Sequence, residues 1–170
     1  MELTDLLPLE KWVELEKEIN RRSGLGASVF NTKGIRITDF KKWPNRLCPV
    51  IKANEKGQSF ICAVAHMNLA AQARKTRKPV IEECDAGLGK VVLPIFVGDD
   101  FLGAVGGCGL LLDDGEVDTF MINKTTDIDE EELESLSDDM GTITTEKAES
   151  LVAFIQEELD KIVGDYEGRK

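Results

Sequence analysis

Val80-Ile81-Glu82-Glu83, the turn Cys84-Asp85-Ala86-Gly87-Leu88-Gly89, the run Val91-Val92-Leu93-Pro94-Ile95-Phe96-Val97, and then Gly98-Asp99-Asp100 before Phe101-Leu102-Gly103-Ala104-Val105 make the stretch that decides the fold. Short runs of β-branched and aromatic residues bounded by Gly and Asp read as strands. The connections are too short for crossovers, so the strands pair antiparallel. Leu110 to Leu112 reads as an extension of the last strand, which Asp113-Asp114-Gly115 closes.

Upstream of this stretch, Ile61, Cys62, Ala65, His66, Leu69, Ala70 and Ala73 recur at helical spacing after Ser59, a residue suited to cap a helix. The basic cluster Arg74-Lys75-Thr76-Arg77-Lys78 and then Pro79 end that helix. Further back, Leu9 to Arg22 places Leu9, Trp12, Val13, Leu15 and Ile19 largely on one face, and Ser23-Gly24 stops the pattern. Ala27 to Phe30 and Ile35 to Phe40, joined by Asn31-Thr32-Lys33-Gly34, read as a hairpin. Lys41 to Arg46 reads as a loop, and Cys48 to Ile51 as one helical turn.

Downstream, Val117 to Ile122 suits a strand or a helix. Asp129-x-x-Glu132 has the form of a capping box, and Leu151, Phe154, Ile155, Leu159, Ile162 and Val163 form an apolar stripe on a terminal helix. Such a stripe packs on the sheet or on a partner. The expectation is an α/β (α+β) chain: a central antiparallel sheet, an N-terminal helix, one long crossing helix and C-terminal helices. PAS- and GAF-like domains share this order, in which one sheet face covers a small-molecule cavity.

The 170 residues suit a single domain spanning 1–170. A secretory pattern and a bilayer-length apolar run are both missing from the sequence, so the expected compartment is the cytoplasm, with no membrane partner. The net charge of -11 repels nucleic acid. It is unevenly placed: residues 1–112 carry 16 basic against 13 acidic side chains, and residues 113–170 carry 5 against 19.

The segment Lys78 to Leu88, with its Lys-Pro before Cys84-Asp85-Ala86-Gly87-Leu88, and the following Pro94-Ile95, Gly98, Leu102-Gly103-Ala104 and Gly106-Gly107 resemble the PocR-type sensory domain. Cys48, Cys62 and the Ile128 to Ala148 stretch also fall where that family has its earlier cysteines and its acidic helix, so the resemblance covers nearly the whole chain. Asp85 stands where the family usually has His, and Cys108 where a Gln-like residue is commoner. The resemblance implies a PAS/GAF-like fold and the sensing of small hydrocarbon derivatives such as propanediol-like alcohols. The family is usually fused to kinases or DNA-binding domains, which points here to a separate signalling protein as partner.

Two uses of the central residues follow. As a ligand pocket, the turn at Asp85 and Gly87 beside Cys84, together with Gly106 and Gly107, would let a small organic ligand approach the backbone, with Asp85 accepting a hydroxyl hydrogen bond. As a metal site, Cys48, Cys62 and Cys84, joined by His66 four residues after Cys62 on one helix face, would hold zinc or an iron-sulfur cluster. Close C-x2-C pairs are missing, and buried cysteine is also an ordinary core residue. Cys108, between glycines, reads as core and outside the site; Trp12 and Trp43 read as packing anchors. The chain has one histidine and none of the motifs G-x-S-x-G, phosphate loop or dinucleotide fingerprint, so the expectation is a binding protein and not an enzyme. A homodimer formed through the helical stripes is the third reading.

Overall fold

The central stretch forms the strands expected of it. In the computed structural model, which describes residues 1–169, β1 (Gly26–Asn31), β2 (Val80–Glu83), β3 (Gly89–Val97) and β4 (Asp100–Leu112) pair antiparallel in the order β1-β4-β3-β2. A short fifth strand, β5 (Thr142–Ile143), runs parallel to the end of β4. Two residues carry too little periodicity to be legible in advance.

Helices cover both faces. These are α1 (Leu3–Leu6), α2 (Leu9–Ser23), α3 (Leu47–Ala53), α4 (Glu55–Gly57), α5 (Ala63–Thr76), α6 (Thr119–Thr126), α7 (Glu130–Leu136) and α8 (Thr145–Gly168), with a π-helical turn at Gln58–Cys62 joining α4 to α5. The chain is therefore α+β, with the expected N-terminal, crossing and C-terminal helices around an antiparallel sheet. Among the described residues, no helix is long and apolar enough to cross a membrane.

Because side chains alternate along a strand, each face has its own core. Ala27, Val29, Val91, Leu93, Ile95 and Val105 share one face and pack with Trp12, Ile19, Leu151, Ile155 and Leu159 of α2 and α8. The stripe on α8 is thus used within the chain. Each of its fully buried aliphatic side chains is worth about 1.5–3 kcal/mol in apolar area withdrawn from water. On the opposite face Val92 and Ala104 pack with Leu69 and Ala73 of α5, and Ser28, Phe30, Lys90 and Cys108 continue that face toward the sheet's other end. A third cluster, around Leu47, Ile51, Ile61, Ala86, Leu88, Ile122 and Leu133, joins α3, the π turn, α6 and α7 to the turn between β2 and β3.

Three local expectations need correction, and one left open between strand and helix is decided. The second hairpin strand at Ile35 to Phe40 does not form: β1 takes β4 as its partner, leaving one bridge, Phe30 to Arg36, and two backbone bonds, Asn31 to Ile35 and Ile37 to Val29. Ser59 is not a cap. The helical path starts earlier, at Glu55, where the Asn54 side chain accepts from the Gly57 amide at 3.0 Å. Val117 to Ile122 resolves as a loop running into α6, capped by Asp118 on the Met121 amide. Asp129 caps α7 through the Glu131 amide, and the reciprocal bond from Glu132 that would complete a capping box is not made.

Candidate functional site

Beyond the end of α5 nearest β1, the sheet face is not covered by helix packing. A cavity of about 280 Å³ lies there. Its floor is the sheet at Ser28, Phe30, Lys90 and Cys108, and its walls are α3, the π turn, the first turns of α5 and the Cys84 to Leu88 turn. Ile51, Ile61, Ala86 and Leu88 supply buried apolar lining, whereas Lys33, Lys41, Lys42, Trp43 and Met67 are exposed and mark the mouth.

Local sequence explains how the wall stands where it does. The loop Trp43-Pro44-Asn45 lies against the sheet at Gly26 and Gly109, and a Cβ on Gly109 would come within 2.2 Å of Pro44 Cγ. Gly109 also has φ +110°, so both its backbone and its contact with Pro44 require glycine. Asn45 then fastens the loop, its Nδ2 donating to the Gly109 carbonyl at 2.6 Å and to Cys48 Sγ at 3.2 Å, and its Oδ1 accepting from the Cys48 amide at 2.6 Å. The π turn brings Gln58, Ile61 and Cys62 to the cavity. Such single π turns recur at functional sites, because the extra residue per turn re-aims side chains.

The four cysteines converge on this cavity: Cys48, Cys62, Cys84 and also Cys108 line it, and all four are free thiols. Cys108, read from the sequence as core, lines the same cavity as the other three. Burial pushes the Cys48 thiol up to about 12, with Cys108 alongside adding to it, and pushes Cys62 up to about 11 and Cys84 upward as well. At neutral pH these three are protonated and act as small, polarizable, nearly apolar groups. Among the described residues, no group of three or more His, Cys, Asp and Glu side chains is arranged to hold a metal ion.

His66 also lines the cavity and is 6% exposed. Its ring stacks on Phe30 with centroids 3.8 Å apart, and its Nδ1 is buried without a hydrogen-bond partner. Burial, followed by the nearby Lys90 and Lys52 charges, lowers its pKa to about 4, so the imidazole is neutral.

The glycine-turn residues stand apart from the thiols. Asp85 is exposed, and neither it nor Gly87 lines the cavity. Gly87 has φ +87°, and a Cβ there would meet the Glu116 carbonyl at 2.2 Å, so close packing of the turn requires this glycine. Gly106 and Gly107 line a recess of about 20 Å³ that shares Ser28, Lys52, His66, Lys90 and Cys108 with the main cavity. A Cβ on Gly106 would lie 1.8 Å from the Val91 carbonyl. Trp12 is a packing anchor, its Nε1 donating to the Leu3 carbonyl at 3.0 Å, but Trp43 is half exposed at the mouth.

Sequence reading also passed over Lys52 and Lys90. Lys90 carried a signal: it occupies an inward position of a strand whose other inward residues are apolar, and lysine is seldom buried unless paired.

The family model described as a sensory domain found in PocR matches residues 5–165. No curated protein and no solved structure matches the chain.

Proposed function

The chain belongs to the family of PocR-type sensory domains, and from that premise we propose that it binds a small organic molecule in the cavity between the sheet, α3 and α5 and signals its occupancy to a separate protein. The observation that carries this reading is the cavity itself. Its depth is lined by apolar side chains and neutral thiols around one nearly buried lysine, Lys90, its mouth is exposed, and it lies on the sheet face opposite the terminal helices. Its volume is near the lower end for ligand sites, which suits a compact ligand of the hydrocarbon-derivative or alcohol class.

A route from the cavity to α2 and α8 runs round the β1 edge. Arg36 lines the cavity and bonds to buried Glu16 of α2, which packs beside α8. A ligand that draws Arg36 inward would shift α2 and α8 together, and those helices are the element through which the state is read out. Binding without chemistry fits the neutral thiols and neutral imidazole, which lack an activating base.

Thiolate ligation of zinc or an iron-sulfur cluster is the weaker reading, since the converging cysteines do not provide three donors about one point. The test is thermal unfolding with 1,2-propanediol, 1-butanol and 1-hexanol, in the wild type and in Ala65→Trp, which fills the cavity from α5. Saturable stabilisation in the wild type alone supports the reading. Equal response in both chains contradicts it, as does no response to these alcohols together with none to hexanoate.

A further inference from the structure

The cavity is basic in an acidic protein. Six Lys or Arg residues line it, namely Lys33, Arg36, Lys41, Lys42, Lys52 and Lys90, with no Asp or Glu among the lining residues, although the chain as a whole carries a net charge of -11. Lys33, Lys41 and Lys42 sit at the mouth, and solvent accounts for them. Lys90 is different: it is 9% exposed, it stands on the β3 side of the floor, and among the described residues its ammonium makes no hydrogen bond or ion pair.

Every acidic candidate for pairing is elsewhere. Glu82 lies opposite Lys90 in the β2–β3 register but is exposed and forms no ion pair with it, and the one buried carboxylate near the cavity, Glu16, is held by Arg36, Thr38 and the Val29 amide. A lysine whose side chain is nearly buried, and whose ammonium keeps some access to water but has no counter-charge, is a ready partner for an anion. Lys52 faces the same space from α3, and His66 adds an unpaired ring nitrogen beside them.

From this arrangement we infer that the ligand is a small carboxylate with an apolar tail, its carboxylate held by Lys90 and Lys52 on the sheet floor and its tail against Ile51, Ile61, Leu88 and the cysteine thiols. The inference rests on the sensing reading above and specifies the ligand class. A carboxylate needs only two or three donors, which the floor provides. A phosphate favours an arginine fork, and the arginine that lines the cavity, Arg36, is already engaged with Glu16, Thr38 and the Ala27 carbonyl. The tail meets thiols that are neutral and apolar, so desolvating it there is favourable.

The test is calorimetric titration of the full chain with hexanoate and benzoate against 1-hexanol and benzyl alcohol, repeated with Lys90→Met and Lys52→Met. A charge-assisted contact to one or two ammonium groups should make each carboxylate at least about tenfold tighter than its alcohol. Lys90→Met and Lys52→Met should each weaken that preference, and the double variant should abolish it, while alcohol binding persists. The single histidine gives a second readout that needs no variant: a carboxylate beside His66 favours the imidazolium, so its ring resonances should titrate at higher pH with hexanoate bound and not with 1-hexanol. Alcohols binding as tightly as carboxylates, or a preference undiminished by Lys90→Met and retained in the double variant, overturn this inference and leave the sensing reading standing. Failure of both series to bind overturns both.

Discussion

The guanidinium of Arg36, in the cavity wall, donates at 3.4 Å to Oε2 of Glu16, a carboxylate on α2 with no exposed surface. The same oxygen accepts from Thr38 Oγ1 at 2.7 Å and from the Val29 amide at 3.1 Å, so α2, β1 and the segment leading to the cavity mouth meet at one atom. Arg36 also donates to the Ala27 carbonyl at 3.2 Å. Removing it leaves a buried carboxylate without its counter-charge, and Arg36→Met should lower stability by about 3–5 kcal/mol. Chemical denaturation measures this. Ligand affinity in the variant should change much less than the response of α8 to ligand, which hydrogen exchange along α8 reads separately.

The pH dependence of stability has two opposed parts. His66 has a folded pKa near 4 against an ordinary value of 6.5, so its neutral form is favoured by folding; its contribution is full above 6.5 and is lost as pH falls toward 4. The size is of order 3 kcal/mol. Glu16 works the other way, because burial raises its pKa and folding therefore favours its protonated form, stabilising below 4.5 and losing that stabilisation as pH rises through the folded value. The difference curve between wild type and His66→Gln, taken from pH 7 to pH 4 by denaturant titration, isolates the first. It should narrow steadily as pH falls.

Alkylation reports the state of the thiols. With the Cys48 pKa at about 12, three units above the ordinary 9.0, its thiolate fraction at pH 8 is about a thousandfold below that of an ordinary cysteine, and its reaction with iodoacetamide should be slower in proportion. Peptide mapping after timed alkylation gives the rate at each position. A bound ligand that fills the cavity should slow Cys48, Cys62, Cys84 and Cys108 together, since they line one space.

Metal content follows from the same geometry. Protein purified anaerobically should contain zinc and iron well below one equivalent by elemental analysis, show no charge-transfer absorbance, and yield four thiols when denatured. One equivalent of either metal would make the cysteines a metal centre instead.

The sheet was legible because β2, β3 and β4 have short turns that leave few pairing options, and α2 because its apolar spacing ends at Gly24, which takes the left-handed conformation at φ +80°. The hairpin partner of β1 was not, because a local turn signal at Asn31 to Gly34 competes with β4, which offers a full-length edge from Gly103 to Cys108. Cys48, Cys62, Cys84 and His66 do converge on one cavity, but spacing could not distinguish a cavity wall from a chelate, because that depends on where side chains point. The nearness of Cys108 and the Trp43 loop to that cavity was not legible, because it depends on the contact of Pro44 with Gly26 and Gly109, made across the fold. Lys90 was the legible sign that went unused.

Methyl-resolved NMR during titration of the full chain with hexanoate tests the central claim most directly. Binding in the cavity predicts that Ile51, Ile61 and Leu88 methyls shift saturably, and that Leu151 and Ile155 of α8, across the sheet, shift with the same midpoint. Cavity methyls that stay fixed while surface methyls drift without saturation would contradict it.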